Sequence, residues 1–171
     1  MRCQSVRSDI VEIRKFTVDD AESFSRMHNS SASERKFFSM FVGVNVERAI
    51  ALLSNDIAKG NHLYAAVDGS EVVGWCEICR IDSPAHRHCG ELNMGLVATY
   101  RRQGLGRALI NACLDDATGA GISRVSLSVF GDNDRARALY ESYGFVHEGV
   151  MRNHVLIDGK YNDLLLMARF S

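Results

Sequence analysis

Residues 92–114, LNMGLVATYRRQGLGRALINACL, gather three arginines (Arg101, Arg102, Arg107) around two glycines (Gly104, Gly106). A strand pattern runs into this turn and an amphipathic helix pattern leaves it. Gly104 and Gly106 carry no Cβ, so the backbone there can approach a ligand closely. The first amide N–H groups of the helix lack intrahelical partners and lie at the positive end of its dipole. Such a turn holds one phosphate, or a pyrophosphate engaging several amides across residues 102–107. Residue types alone leave two readings open, a phosphate cradle or a tight strand-to-helix connection with solvated arginines. Two nucleotide motifs fit poorly. A P-loop would follow Gly106 with Lys and Ser or Thr, whereas Arg107 and Ala108 stand there. A Rossmann fingerprint wants a small residue where Leu109 stands, and an acid at a later strand end.

Cys76-x-x-Cys79, with His86, His88 and Cys89 nearby, carries zinc-ligand residue types. On an extended strand, however, residues three apart face opposite sides, so no metal is expected there. A redox CxxC opens a helix, and this one lies within a strand pattern. No Gly-x-Ser-x-Gly element is present. The net charge of −1 attracts the chain neither to nucleic acid nor to an anionic membrane, and no basic stripe is interleaved with stacking aromatics. Transfer RNA is left as no more than a conceivable substrate. The N-terminal residues hold no apolar run of signal-peptide length, and no later stretch is of membrane-spanning length. The five cysteines, Cys3, Cys76, Cys79, Cys89 and Cys113, are odd in number and scattered, which suits a reducing, cytoplasmic setting.

The 171 residues fit one domain over 1–171, with 1–9 as a flexible N-terminal extension. Alternation predicts a strand over 11–16, and Thr17, Asp19 and Asp20 supply N-cap chemistry for a helix to about Met27. Val46, Ile50, Leu53 and Ile57 mark a second helix ended by Gly60-Asn61. A hairpin follows over 62–67 and 71–81 around Asp68-Gly69, then a loop over 82–88 and a strand over 90–97. Leu105, Ala108, Leu109, Ala112, Cys113 and Ala117 form one helical face, closed by Gly119 and Gly121. A strand over 124–130 precedes a helix from about Asn133, with Ala136, Leu139, Tyr140 and Tyr143 on one side and Gly144 as its stop. Strands over 145–154 and 161–170 flank the turn at Asp158-Gly159. The order β-α-α-β-β-β-α-β-α-β-β predicts an α/β fold: a mixed central sheet with helices on both faces.

Arg101-Arg102-Gln103-Gly104-Leu105-Gly106 matches the Gln/Arg-x-x-Gly-x-Gly/Ala motif of the GNAT N-acetyltransferase family. Asn133-Asp134-Arg135-Ala136-Arg137-Ala138-Leu139-Tyr140, followed by Gly144-Phe145, resembles the family's second signature. The element order agrees, so the resemblance extends over roughly the whole chain. The C-terminal DGKYNDLLLMARF is similar to the ends of bacterial members acting on amino acids or other small amines.

The resemblance implies transfer of an acetyl group from acetyl-coenzyme A, as co-substrate, to a primary amine in a ternary complex. It assigns Met94, Gly95 and Leu96 to the pantetheine arm, with a family bulge that splays this strand and frees an oxyanion-binding amide near Leu96. Arg101, Arg102, Gln103, Gly104, Leu105, Gly106 and Arg107 fall on the pyrophosphate turn, and Asn133 contacts the cofactor arm. Tyr140 matches the proton donor to the departing thiolate, and Glu91 lies near where some members place a glutamate base. For Tyr140 the competing reading is a packed helix tyrosine; for Glu91 it is an exposed strand residue or an ammonium anchor. Ribosomal-type members place a glutamate where this chain has Ser128. The acceptor side is expected from Glu34, Phe37, Phe38, Trp75, Glu77, His154, Tyr161 and Asp163. A small amine or amino acid is the expected partner, with a protein N-terminus or lysine as the alternative. A non-catalytic acyl-coenzyme A-binding module is the competing class. Homodimers are common in the family.

Overall fold

The computed structural model describes residues 11–36 and 43–171. Its strands are β1 (Glu12–Lys15), β2 (His62–Asp68), β3 (Glu71–Arg80), β4 (Cys89–Leu96), β5 (Arg124–Phe130), β6 (Val146–Ile157) and β7 (Lys160–Phe170). Its helices are α1 (Ala21–Ser33), α2 (Val46–Ala58), α3 (Leu105–Gly119) and α4 (Asp134–Glu141). The observed order is the predicted one, with short 3₁₀ turns added. The loop over 82–88 holds one of these turns at Pro84–His86. The expected extension over 1–9 lies outside the described residues, as do Phe37 and Phe38. Among the described residues no helix is long and apolar enough to cross a membrane.

The strands form one sheet in the order β1-β2-β3-β4-β5-β7-β6. Every neighbouring pair is antiparallel except β4 and β5. Two apolar clusters lie on opposite faces. On one face α1 and α2 pack Phe24, Met27, Ala49 and Leu53 over Leu63, Ala65, Val67 and Trp75. On the other, α3 and Tyr140 of α4 pack over Ala66, Cys76, Ile78, Leu92 and Leu127. The buried stripe of α3 is Leu109, Ile110, Cys113, Leu114 and Ala117. It is centred one position further round than the predicted face, because the large Ile110 and Leu114 displace Ala108 and Ala112 from the sheet. Each such buried Leu or Ile contributes about 1.5–3 kcal/mol.

An irregularity between β2 and β3 governs which side chains reach each face. Ala66 pairs with Gly74 but Val67 pairs with Val72, leaving Val73 as the extra residue of a bulge. Val73 therefore packs toward α3, whereas Trp75 packs toward α1 and α2. Strict alternation beyond it carries Glu77 and Cys79 to the Trp75 face and Cys76 and Ile78 to the other.

Candidate active site

The β4–β5 pair is short. It joins Cys89 to Arg124, Gly90 to Val125 and Glu91 to Ser126, and then the strands diverge. On its other side β4 stays in unbroken register with β3 from Gly90 to Leu96. The opening is thus a divergence of two strands; the bulge in β4 that the resemblance implied is not present. Antiparallel pairing alternates in direction. Val97 N–H donates to Val73 C=O and Ile81 N–H to Cys89 C=O. The main-chain groups of residues 91, 93 and 95 therefore face β3, and those of Leu92, Met94 and Leu96 face the opening. This is the edge to which an extended polar ligand adds as a strand.

A cleft of about 870 Å³ runs along this opening, lined by Met94, Gly95, Leu96, Arg102, Gly106 and Tyr140 among others. At its wide end stands the Gly-rich turn. Gly104, the residue before α3, has φ +83°, and Arg102 has φ +67°. A glycine N-cap has no side chain to bond the first helical amides, and the first α-helical bond is Ala108 N–H to Gly104 C=O. The amides of Leu105, Gly106 and Arg107 are thereby left for an anion.

The arginines divide. Arg102 and Arg107 line the cleft. Arg101 lines it too, yet its Nε donates to Leu96 C=O at 3.0 Å and its guanidinium grips the Glu34 carboxylate at 2.6 and 2.8 Å. It braces the turn against the end of α1. Gln103 lies outside the cleft lining and donates to Thr99 C=O at 2.9 Å, stapling the turn. Leu105 also lies outside the lining. Two contributors were missed by the sequence reading. Arg135, in the first turn of α4, lines the cleft. Tyr143 donates its hydroxyl to Arg107 C=O at 3.0 Å, with the Arg107 guanidinium 5.9 Å from its ring centre.

Asn133 lines the cleft and caps α4, its Oδ1 accepting from Ala136 N–H at 3.2 Å. Tyr140 is buried, packs on Phe145 at 5.8 Å between ring centres, and lines the cleft. Burial, with the nearby Cys76, pushes its phenol well above the usual range, so it stays protonated at neutral pH.

On the acceptor face the sequence-predicted residues separate. Trp75 and Glu77 line the cleft. Glu34 is spent on Arg101, while His154, Tyr161 and Asp163 lie outside the lining; Tyr161 and Asp163 border a separate shallow groove with Arg137 and Arg152. Glu91 is exposed and is not brought into the cleft. It stands four residues before Gly95, about 13 Å along the strand. Glu77 is half-buried, and Asn93 Nδ2 donates to it at 3.3 Å. Desolvation first, then the charges of Asp56 and Glu91, push the Glu77 carboxyl up to about 7, against the pull of hydrogen bonds from Cys79 and Asn93. Cys76 is fully buried beside Cys113 on the α3 face, opposite Cys79.

The sheet with one breached parallel pair, and the helix N-terminus at its end, define a scaffold for an extended anionic ligand. The profile of the Acetyltransferase (GNAT) family matches residues 25–145, and the chain belongs to that family. It is 31% identical over 108 residues to the L-amino acid N-acetyltransferase AaaT of Escherichia coli, covering 63% of this chain and 66% of that protein. It is 35% identical over 120 residues to the N-alpha-acetyltransferase RimI of Mycobacterium tuberculosis, covering 70% and 74%. In fold it is similar to yncA from Salmonella typhimurium, solved with its cofactor acetyl-CoA (TM-score 0.86, 19% identity, 94% of this chain and 93% of that one).

Proposed function

We propose that this protein moves an acetyl group from acetyl-coenzyme A to the primary amine of a small molecule, an amino acid or similar amine, by direct transfer. The observation that carries the reading is the open main-chain edge at Met94 and the Leu96 amide, past the last β4–β5 pairing, which leads from the N-terminus of α3 to Tyr140. The pantetheine amides would pair with that edge, and the pyrophosphate would take the amides of 105–107 with Arg102, Arg107 and Arg135 around it. The Leu96 amide, facing the opening, is suited to hold the developing oxyanion. Tyr140, kept neutral by burial, gives its proton to the departing sulfur.

A second reading, acetylation of a protein N-terminus, is favoured by the likeness to RimI. Against it, Ser128 stands at the cleft where the resemblance to ribosomal-type enzymes implies a glutamate. The test is thiol release from acetyl-coenzyme A with a panel of amino acids, diamines and short peptides. Amino acids should turn over faster than peptides with the same N-terminal residue. Tight cofactor binding without acetylation of any amine would refute enzymatic function and leave an acyl-coenzyme A-binding module.

A further inference from the structure

An ammonium must lose a proton before its nitrogen attacks, and Tyr140 is the wrong partner for that step because its burial keeps the phenol protonated. The acceptor face of β3 and β4 carries two carboxylates. Glu91 is exposed and outside the cleft. Glu77 lines the cleft and pairs across the strands with Asn93, whose amide holds its carboxylate. Trp75 pairs in the same way with Gly95. Glu77 is therefore one strand across from Gly95 and two residues along, about 8 Å between Cα atoms. A glutamate side chain and one water span that gap.

A second feature stands on the same face, two residues from Glu77. Among the described residues the buried Trp75 indole Nε1 has no hydrogen-bond partner, and Trp75 is only 7% exposed. A Cβ on Gly95 would lie 2.8 Å from that nitrogen, so the indole N–H lies directly over the glycine beside the pantetheine edge. The indole therefore packs on Gly95 and walls the acceptor face beside Glu77. A water reaching this face meets an acceptor in Glu77.

We propose that Glu77 accepts the proton of the incoming ammonium through one water; this rests on the acetyl-transfer reading above. The groups facing Glu77 are Cys79 on β3, Asn93 and Glu91 on β4, and Asp56 on α2. The acidic ones favour a cationic amine over a neutral acceptor. The step balances. One ammonium proton passes through the water to Glu77 and later to solvent. The freed nitrogen forms the bond to the acetyl carbon as the carbon–sulfur bond breaks. The sulfur takes the Tyr140 proton, and the second nitrogen proton restores the phenol.

The experiment is the pH profile of kcat/KM for wild type, Glu77→Gln and Glu77→Asp, with an amine acetylated by the wild type. Wild type should rise to a plateau above about pH 7, where Glu77 is ionised and the amine is still an ammonium. Glu77→Gln should lose about a hundredfold at pH 7 and keep climbing tenfold per pH unit toward the amine's own pKa, the size expected for losing a general base. Its acetyl-coenzyme A affinity, measured by calorimetry, should stay within twofold, which also reports that it folds. Glu77→Asp should keep the plateau at a lower level and serves if the glutamine variant does not bind cofactor. A Glu77→Gln profile like wild type, or no plateau in Glu77→Asp, overturns the assignment while acetyl transfer stands. A wild type that acetylates no amine brings down both.

Discussion

Gly104 and Gly106 are two residues apart in the same turn, yet replacing each with alanine should do opposite things. Gly104 holds φ +83° with open space around its Cβ position. Alanine there fits sterically but sits in the left-handed region, at a cost of about 1–2 kcal/mol. Gly106 lies in the first turn of α3 with ordinary helical backbone. Its added Cβ would meet Leu96 Cδ1 and Met94 Cε at 3.5 Å and Leu139 Cδ2 at 3.6 Å, which is normal contact. Gly106→Ala should therefore fold, gaining about 0.5–1 kcal/mol from the removed glycine. Its methyl group nonetheless stands on the cleft floor, among residues that line the cleft. Pushing a pyrophosphate off the 105–107 amides weakens charge-assisted hydrogen bonds worth about 1.5–3 kcal/mol each. A net loss of about 2 kcal/mol is about thirtyfold in Kd. Calorimetry with coenzyme A and a thermal melt on each variant decide the matter. Gly106→Ala should bind about thirtyfold more weakly with an unchanged or raised Tm, and Gly104→Ala should melt about 2–6 °C lower. Wild-type affinity in Gly106→Ala would refute the close approach of a ligand at this turn.

Tyr140→Phe should lower kcat by about a hundredfold or more while leaving the coenzyme A Kd within about threefold, read from steady-state kinetics and calorimetry; an unchanged kcat removes Tyr140 as the donor. Because Arg101 is committed to Glu34 and the Leu96 carbonyl, Arg101→Ala should weaken coenzyme A binding less than Arg102→Ala or Arg107→Ala does, in calorimetry at low salt. The reverse ranking would mean that Arg101 leaves Glu34 for the phosphates. Glu77 is raised from 4.5 to about 7 in the folded protein. The folded state thus holds an extra proton between those values, and stability falls as pH rises through that window. With partial exposure the loss is about 1–2 kcal/mol. Glu77→Gln should escape it, so urea melts should show the variant gaining on wild type between pH 4.5 and 7; parallel curves would refute the shift.

The order of elements was legible because each boundary carries local chemistry. Asn45 caps α2 by accepting from Arg48 N–H at 2.9 Å, and Gly60, Gly69, Gly144 and Gly159 all hold positive φ at the predicted ends and turns. The phosphate turn was legible for the same reason. Three things were not. The bulge at Val73 inverts which of two adjacent valines faces α3, and a run of apolar residues gives no hint of the inversion. The commitment of Arg101 depends on Glu34, 67 positions away, a distance that no local pattern spans. Glu91 and Glu77 look alike as strand glutamates, and only cross-strand register separates the one beside Gly95 from the one about 13 Å off.

That register explains why the site stands where it does. β4 and β5 are the only parallel neighbours in the described sheet, so each runs out at the same end, and each is followed by a helix, α3 and α4. Ligands bind at the carboxyl ends of such strands because two helix N-termini converge there with their positive ends inward. Gly106 and Arg107 from one helix and Asn133, Arg135 and Ala136 from the other line the same cleft. Divergence of the two strands past Glu91 and Ser126 then supplies what a closed sheet lacks, a main-chain edge open along its length. The side chains of Met94 and Leu96 pack on the α3 face, where the anion would be held. Glu77 and Trp75 stand on the α1 and α2 face through their pairing with Leu63 and Ala65 of β2, and the extra residue at Val73 is absorbed by the bulge. An anionic donor and a cationic acceptor would therefore approach from opposite faces, and meet only at the breach. Deleting Val73 should remove the bulge yet leave Trp75 paired with Ala65 and Glu77 with Leu63, so both keep the α1 and α2 face. Such a variant should keep its acceptor turnover; loss of turnover with cofactor binding intact would refute this pairing as what fixes the face.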